Sequence, residues 1–82
     1  MNYLVIQDNT ITQVCTSMES LLEHLNVEIT LRGVIYVKGE KFPASYNMQE
    51  YTREEVINDI ERYHLKKIEC MLKIGIYKLN RI

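Results

Sequence analysis

The opening run Tyr3-Leu4-Val5-Ile6-Gln7 has the apolar, β-branched character of a strand, and Thr10 to Cys15 returns as a second strand through Ile11, Thr12 and Val14. Asp8-Asn9 between them supplies two residues that tolerate positive φ, which suits a tight hairpin. From Met18 the period changes to that of a helix, with Met18, Leu21, Leu22 and Leu25 on one stripe. The Thr16-x-x-Glu19 sequence ahead of it predicts a capping box, in which hydroxyl and carboxylate satisfy two otherwise unpaired amides. Asn26 is the expected stop. Val27, Ile29 and Leu31 then alternate with Glu28 and Thr30, the signature of a half-buried strand. Gly33 marks either a turn or a bulge. Val34-Ile35-Tyr36-Val37 is the strongest strand signal in the chain, Lys38 to Lys41 read as a turn, and Phe42 to Tyr46 return as an edge strand. Pro43 has no amide to donate, so it fits an edge and not a sheet centre.

Thr52 opens a second T-x-x-E box, closed by Glu55. Beyond it there is no proline, and Gly75 is the sole glycine before Leu79, so the pattern predicts one helix over 53–79. Such a helix is roughly 40 Å long at 1.5 Å per residue, more than the width of so small a domain. Its apolar stripe is broken. In the first half Val56, Ile57, Ile60, Tyr63 and His64 share a face. In the second the stripe becomes Leu65, Ile68, Leu72, Gly75, Leu79 and Ile82, at the 3-4-3-4-3 spacing of a coiled-coil seam. The two stripes are offset by roughly a quarter turn, since each residue rotates about 100°. Either the helix bends or breaks, or imperfect patterning covers a single sheet, or the second half projects and presents Leu65, Ile68, Leu72, Gly75 and Leu79 as a protein interface.

Together these elements predict one α+β domain over 1–82. It has a small antiparallel sheet of four to five strands, a short helix and a long C-terminal helix, in the order ββαββ(β)α with both helices on one face. At 46% hydrophobic and 26% charged residues the composition is ordinary for a globular chain. The absence of a leader-like segment ahead of Tyr3 and the presence of only two cysteines, Cys15 and Cys70, point to a reducing, cytoplasmic setting with free thiols. No apolar run approaches the ~18 residues of a membrane span, so no membrane association is expected.

Charge changes the picture more than composition does. Residues 1–61 carry four bases (Arg32, Lys38, Lys41, Arg53) against ten acids. Residues 62–82 carry six bases (Arg62, Lys66, Lys67, Lys73, Lys78, Arg81) against Glu69 alone. A formal net charge of -1 therefore hides an acidic body with a basic tail. Arg62, Lys66, Lys73, Tyr77 and Arg81 are candidate nucleic-acid contacts, because bases interleaved with aromatics hold phosphates and stack on nucleobases. The same placement, acids at a helix start and bases at its end, is also what the helix dipole favours.

Catalytic chemistry finds little footing. His64 and Cys70 fall about 120° apart on a helix, and Cys15 and His24 lack ligand spacing, so no metal site is expected. The glycines at 33, 39 and 75 are too dispersed for a phosphate loop. Helix starts account for Ser17, Ser20, Glu54 and Glu55. No flanking motif supports a Cys–His pair, and no motif specific to one family is present. The chain reads as a non-enzyme without cofactor. Tyr36, Tyr46 and Tyr51, with the loop over 44–51, are a further contact candidate.

Two functional classes follow. The first is a protein-binding inhibitor or regulator acting by occlusion of a partner, as a homodimer through the second-half seam. A phage or mobile-element accessory protein is the setting that a compact, charge-polarised domain suggests. The alternative is a nucleic-acid-binding accessory protein using the basic tail.

Overall fold

Asp8 and Asn9 take up φ of 53° and 61°, and β1 (Asn2–Gln7) and β2 (Thr10–Cys15) pair antiparallel across this two-residue turn. The computed structural model describes residues 2–79. Helix α1 (Met18–His24) starts one residue later than the sequence pattern predicts. Ser17 is the N-cap and pairs with Ser20, so Thr16 and Glu19 do not form the box. Asn26 leaves the helix at φ 56°. Strand β3 is confined to Val27–Ile29, and the chain then turns over 30–33, where the Gly33 amide donates to the Thr30 carbonyl at 2.9 Å and Gly33 itself takes φ 82°, the left-handed residue that follows such a turn in a three-residue hairpin loop. A Cβ there would lie 1.9 Å from the Tyr46 carbonyl oxygen. β4 (Val34–Val37) passes through a turn at Lys38-Gly39, both at positive φ, into β5 (Glu40–Ser45). Pro43 lies on β5, an edge strand, as its missing amide requires.

Thr52 and Glu55 form their capping box at the start of α2 (Arg53–Asp59). The helix runs on through a π turn (Ile60–His64) into α3 (Leu65–Leu72), where it stops. The π turn explains the broken stripe. Its i→i+5 bonding inserts one extra residue, and one residue is about 100° of rotation. Ile60 and Leu65, five apart, therefore come onto one face, and both halves of the helix pack on the same core. Ile60 and Ile68 are fully buried, and Leu65 and Leu72 pack partly buried against that core.

The expected helix over 53–79 is thus corrected at its end. Lys73 turns left-handed (φ 56°, ψ 47°), and Gly75–Leu79 form β6, which pairs antiparallel with β1. The Glu69 carboxylate accepts from the Ile76 amide at 3.0 Å, fastening the new strand to α3. No helix among the described residues is long and apolar enough to cross a membrane.

Six strands form two three-stranded antiparallel sheets, ordered β2-β1-β6 and β3-β4-β5, where one sheet of four to five was expected. The buried core draws on both sheets and all the helical segments. Tyr3, Val5 and Cys15 come from the first sheet, Val27, Ile35, Val37 and Phe42 from the second, and Leu21, Leu22, Val56, Ile60 and Ile68 from the helices.

Candidate functional site

Side chains alternate across a strand, and directly paired residues of antiparallel neighbours share a face. On β1, Tyr3 and Val5 point into the core, which leaves Leu4 and Ile6 on the opposite face of sheet β2-β1-β6. Leu4 pairs with Val14 and Tyr77, Ile6 pairs with Ile11 and Gly75, and Asn2 pairs with Leu79. The outer face is therefore Leu4, Ile6, Ile11, Val14, Tyr77 and Leu79, with Asn2 at the rim and no charged side chain in the registered pairs. Ile11, Val14, Tyr77 and Leu79 keep 55%, 50%, 62% and 45% of their surface open.

The other sheet provides the contrast within the same molecule. On its outer face Tyr36 is flanked by Glu28 and Lys41, with Val34 beside Ser45. That is the usual apolar-in, polar-out pattern of a sheet with one wet face. The first sheet departs from it. Ile11, Val14, Tyr77 and Leu79 together leave roughly 400–500 Å² of surface there, most of it apolar, within the range in which a monomer's largest patch is often functional.

A β-bulge helps to build this face. The turn sets Ile11 opposite Ile6, but the register shifts before Val5, which pairs with Gln13. Thr12 is the extra residue, and its hydroxyl donates to the Val5 carbonyl at 3.3 Å. The shift turns Val14 outward to Leu4 and Cys15 inward to Tyr3. Without it Gln13 would stand opposite Leu4.

The five residues that match a helical seam by spacing do not form one. Leu65, Ile68 and Leu72 face the core, while Gly75 and Leu79 lie on β6. Of the five, Gly75 and Leu79 fall on the outer face of sheet β2-β1-β6, and only Leu79 brings a side chain to it. Among the candidate nucleic-acid contacts, Arg62 and Lys66 are exposed on the helix, Lys73 sits at its left-handed end, and Tyr77 is on the outer sheet face. The helix packs on the inner side, so Tyr77 is turned away from Arg62 and Lys66. Arg81, like Ile82, lies outside the described residues. The Arg62 guanidinium sits 5.9 Å over the Tyr63 ring. A groove of about 400 Å³ brings Arg62 and Leu65 beside Glu61 and Lys78.

Two polar clusters brace the helix. Tyr3 donates its hydroxyl to Glu61, whose carboxylate also meets the Lys78 ammonium at 3.0 Å. Burial, then the Glu61 hydrogen bond and charge, push the Tyr3 phenol up to about 12. The Tyr3 bond holds Glu61 below the usual carboxylate range against its partial burial, with help from Lys78. The second cluster lies at the π turn, where the Tyr46 hydroxyl is 2.7 Å from His64 Nε2 and Phe42 packs edge-on against the same imidazole. Burial and then the Asp59 charge push Tyr46 up to about 12. Tyr51 packs edge-on to Tyr46, so two of the three candidate contact tyrosines touch each other, with Tyr51 still exposed. Cys15 is buried, which pushes its thiol up, and Cys70 is exposed. Among the described residues no three His, Cys, Asp or Glu side chains are grouped to hold a metal ion.

Comparison with protein-family models, curated proteins and solved structures finds no match. The arrangement of side chains alone carries the functional reading. The apolar outer face does leave a signal in the sequence, though not one that periodicity picks out. Tyr3-Leu4-Val5-Ile6 is a continuous apolar run rather than an alternating one, which marks a strand apolar on both faces.

Proposed function

We propose that the chain is a small, non-catalytic protein-binding inhibitor or regulator that works by covering part of a partner's surface. The observation that carries this reading is the outer face of sheet β2-β1-β6 around Val14 and Tyr77, apolar and without a charged side chain among the described residues, beside a second sheet whose outer face is conventionally polar. Burying exposed apolar surface is the main driving force of protein association, and a sheet face apolar from edge to edge supplies it without a desolvated charge.

The test is site-specific photo-crosslinking in the native host, with the probe at Val14 and, as a control, at Tyr36 on the other sheet. Protein adducts from Val14 and none from Tyr36 support the reading. Equal labelling from both, or none from Val14, overturns it.

A second reading, nucleic-acid binding, is favoured by the run Arg62, Tyr63, Lys66 and Lys67, all exposed along one stretch of helix. Separation of Tyr77 from that run leaves Tyr63 as the aromatic platform beside those bases.

A further inference from the structure

We infer that the occupant of the outer face of sheet β2-β1-β6 is a second copy of this chain, packed face to face about a two-fold axis; this rests on the reading of that face as a protein-docking surface. The chemistry of the face selects the partner. Its registered positions hold Leu4, Ile6, Ile11, Val14, Tyr77 and Leu79 and no charge. A strongly charged partner therefore finds nothing to complement, whereas an identical face brings no like charges together.

Shape agrees with this. Two three-stranded sheets stacked about 10 Å apart, with strands within about 30° of alignment, make an ordinary β-sandwich. The second copy would give each first sheet the apolar layer that its outer face lacks. Size agrees as well. With the half-buried Leu4 and Ile6 and the rim at Asn2, two copies would bury on the order of 1,000–1,200 Å² in total, the scale of a weak but specific dimer. A partner protein engaging the same face would have to displace the second copy, so self-association would set how much of the face is open.

The experiment is sedimentation velocity on the full chain from low micromolar to near-millimolar concentration, alongside Val14→Lys, Tyr77→Lys and Gln13→Lys. Gln13 is exposed on the same strand but turned to the other face, opposite Val5. Wild type and Gln13→Lys are expected to dimerise. Val14→Lys and Tyr77→Lys should weaken the dimer by at least about a hundredfold, because each buries an unpaired ammonium. Circular dichroism checks their fold. If either lysine variant fails to fold, the pair Ile11→Thr and Val14→Thr keeps β-branching and tests the same contact.

A monomeric wild type at every concentration overturns the second copy as occupant, while Val14 crosslinks to another protein would leave the docking face standing. A dimer that survives both lysine substitutions overturns the placement of the interface on this face.

Discussion

Deleting Tyr63 is the sharpest perturbation of the fold, because a π turn that realigns the two helical stripes predicts that the loss will be tolerated. Val56, Ile57, Ile60, Leu65, Ile68 and Leu72 are the apolar side chains of the helix that reach the core. Along an uninterrupted α-helix of the present sequence they would spread over about 180°, at about 100° per residue. Removing one residue between Ile60 and Leu65 brings all six within an arc of about 100°, so a regular α-helix would then bury them together. Tyr63 is the natural choice, being 66% exposed. The deletion removes its packing with Arg62 and displaces His64 from Tyr46, the latter worth about 0.5–1.5 kcal/mol. A regular helical hydrogen bond is recovered in exchange. The net effect should not exceed about 1.5 kcal/mol.

Inserting one alanine after Tyr63 is the opposite case. It rotates α3 by about another 100°, withdraws Ile68 from the core and turns Lys67 toward its place. Exposing a fully buried isoleucine costs about 1.5–3 kcal/mol, and forcing the lysine inward adds to that. A chain of 82 residues has about 4–12 kcal/mol of total stability, so the insertion should remove a substantial share of it. Urea unfolding followed by circular dichroism reads both variants. The deletion should shift the midpoint by no more than about 1.5 M, and the insertion should lower it clearly further. If the deletion is as damaging as the insertion, the π turn is not what aligns the two stripes.

Two further outcomes follow from the polar clusters and the basic helix. The Tyr3 phenol, pushed up to about 12, favours the fold while it stays protonated; that stabilisation is whole below about pH 10, the pKa of an unperturbed phenol, and is lost as pH rises through about 12. Tyr3→Phe should remove one late phenolate step from the absorbance titration, leaving Tyr46 to ionise there, and an unchanged titration refutes the assignment. For the nucleic-acid reading, replacing Arg62, Lys66 and Lys67 with glutamine should flatten the salt dependence of duplex DNA binding by about 0.9 for each phosphate no longer neutralised. No binding by the unmodified chain at low salt removes that reading.

The elements fixed by local chemistry were legible in the sequence. Asp8-Asn9 and Gly39 can hold positive φ, Thr52 and Glu55 can satisfy each other's amides, and Pro43 can occupy only an edge; none of these depends on distant residues. What was not legible depended on phase. Leu72, Gly75 and Leu79 fit a helical stripe by spacing alone, and nothing local marks Lys73 as left-handed. The strand Gly75–Leu79 forms because β1 offers an open edge to pair with, a tertiary circumstance that periodicity cannot see. The quarter-turn offset between the stripes is visible in the sequence, but a bend, a break or a projecting helix would leave the same trace. A single inserted residue at the π turn accounts for the whole offset.

The bulge at Thr12 bears on whether the apolar outer face is incidental. The hairpin turn leaves two registers open to the rest of β2. Without a bulge, Gln13 stands outward beside Leu4 and Val14 turns inward beside Tyr3, the polar-out arrangement that suits a sheet facing water. With the bulge, Val14 goes outward, Cys15 takes the buried place, and Gln13 leaves the outer face. The core receives one small apolar side chain either way, so core burial gives the bulged register little advantage. What changes is the outer face, which exchanges a polar side chain for an apolar one and gives up a regular ladder position in doing so. Strand propensity does not account for this, since Val14 has the same propensity in both registers. The proposed dimer would account for it, because each outward Val14 would then lie in a dry layer between sheets.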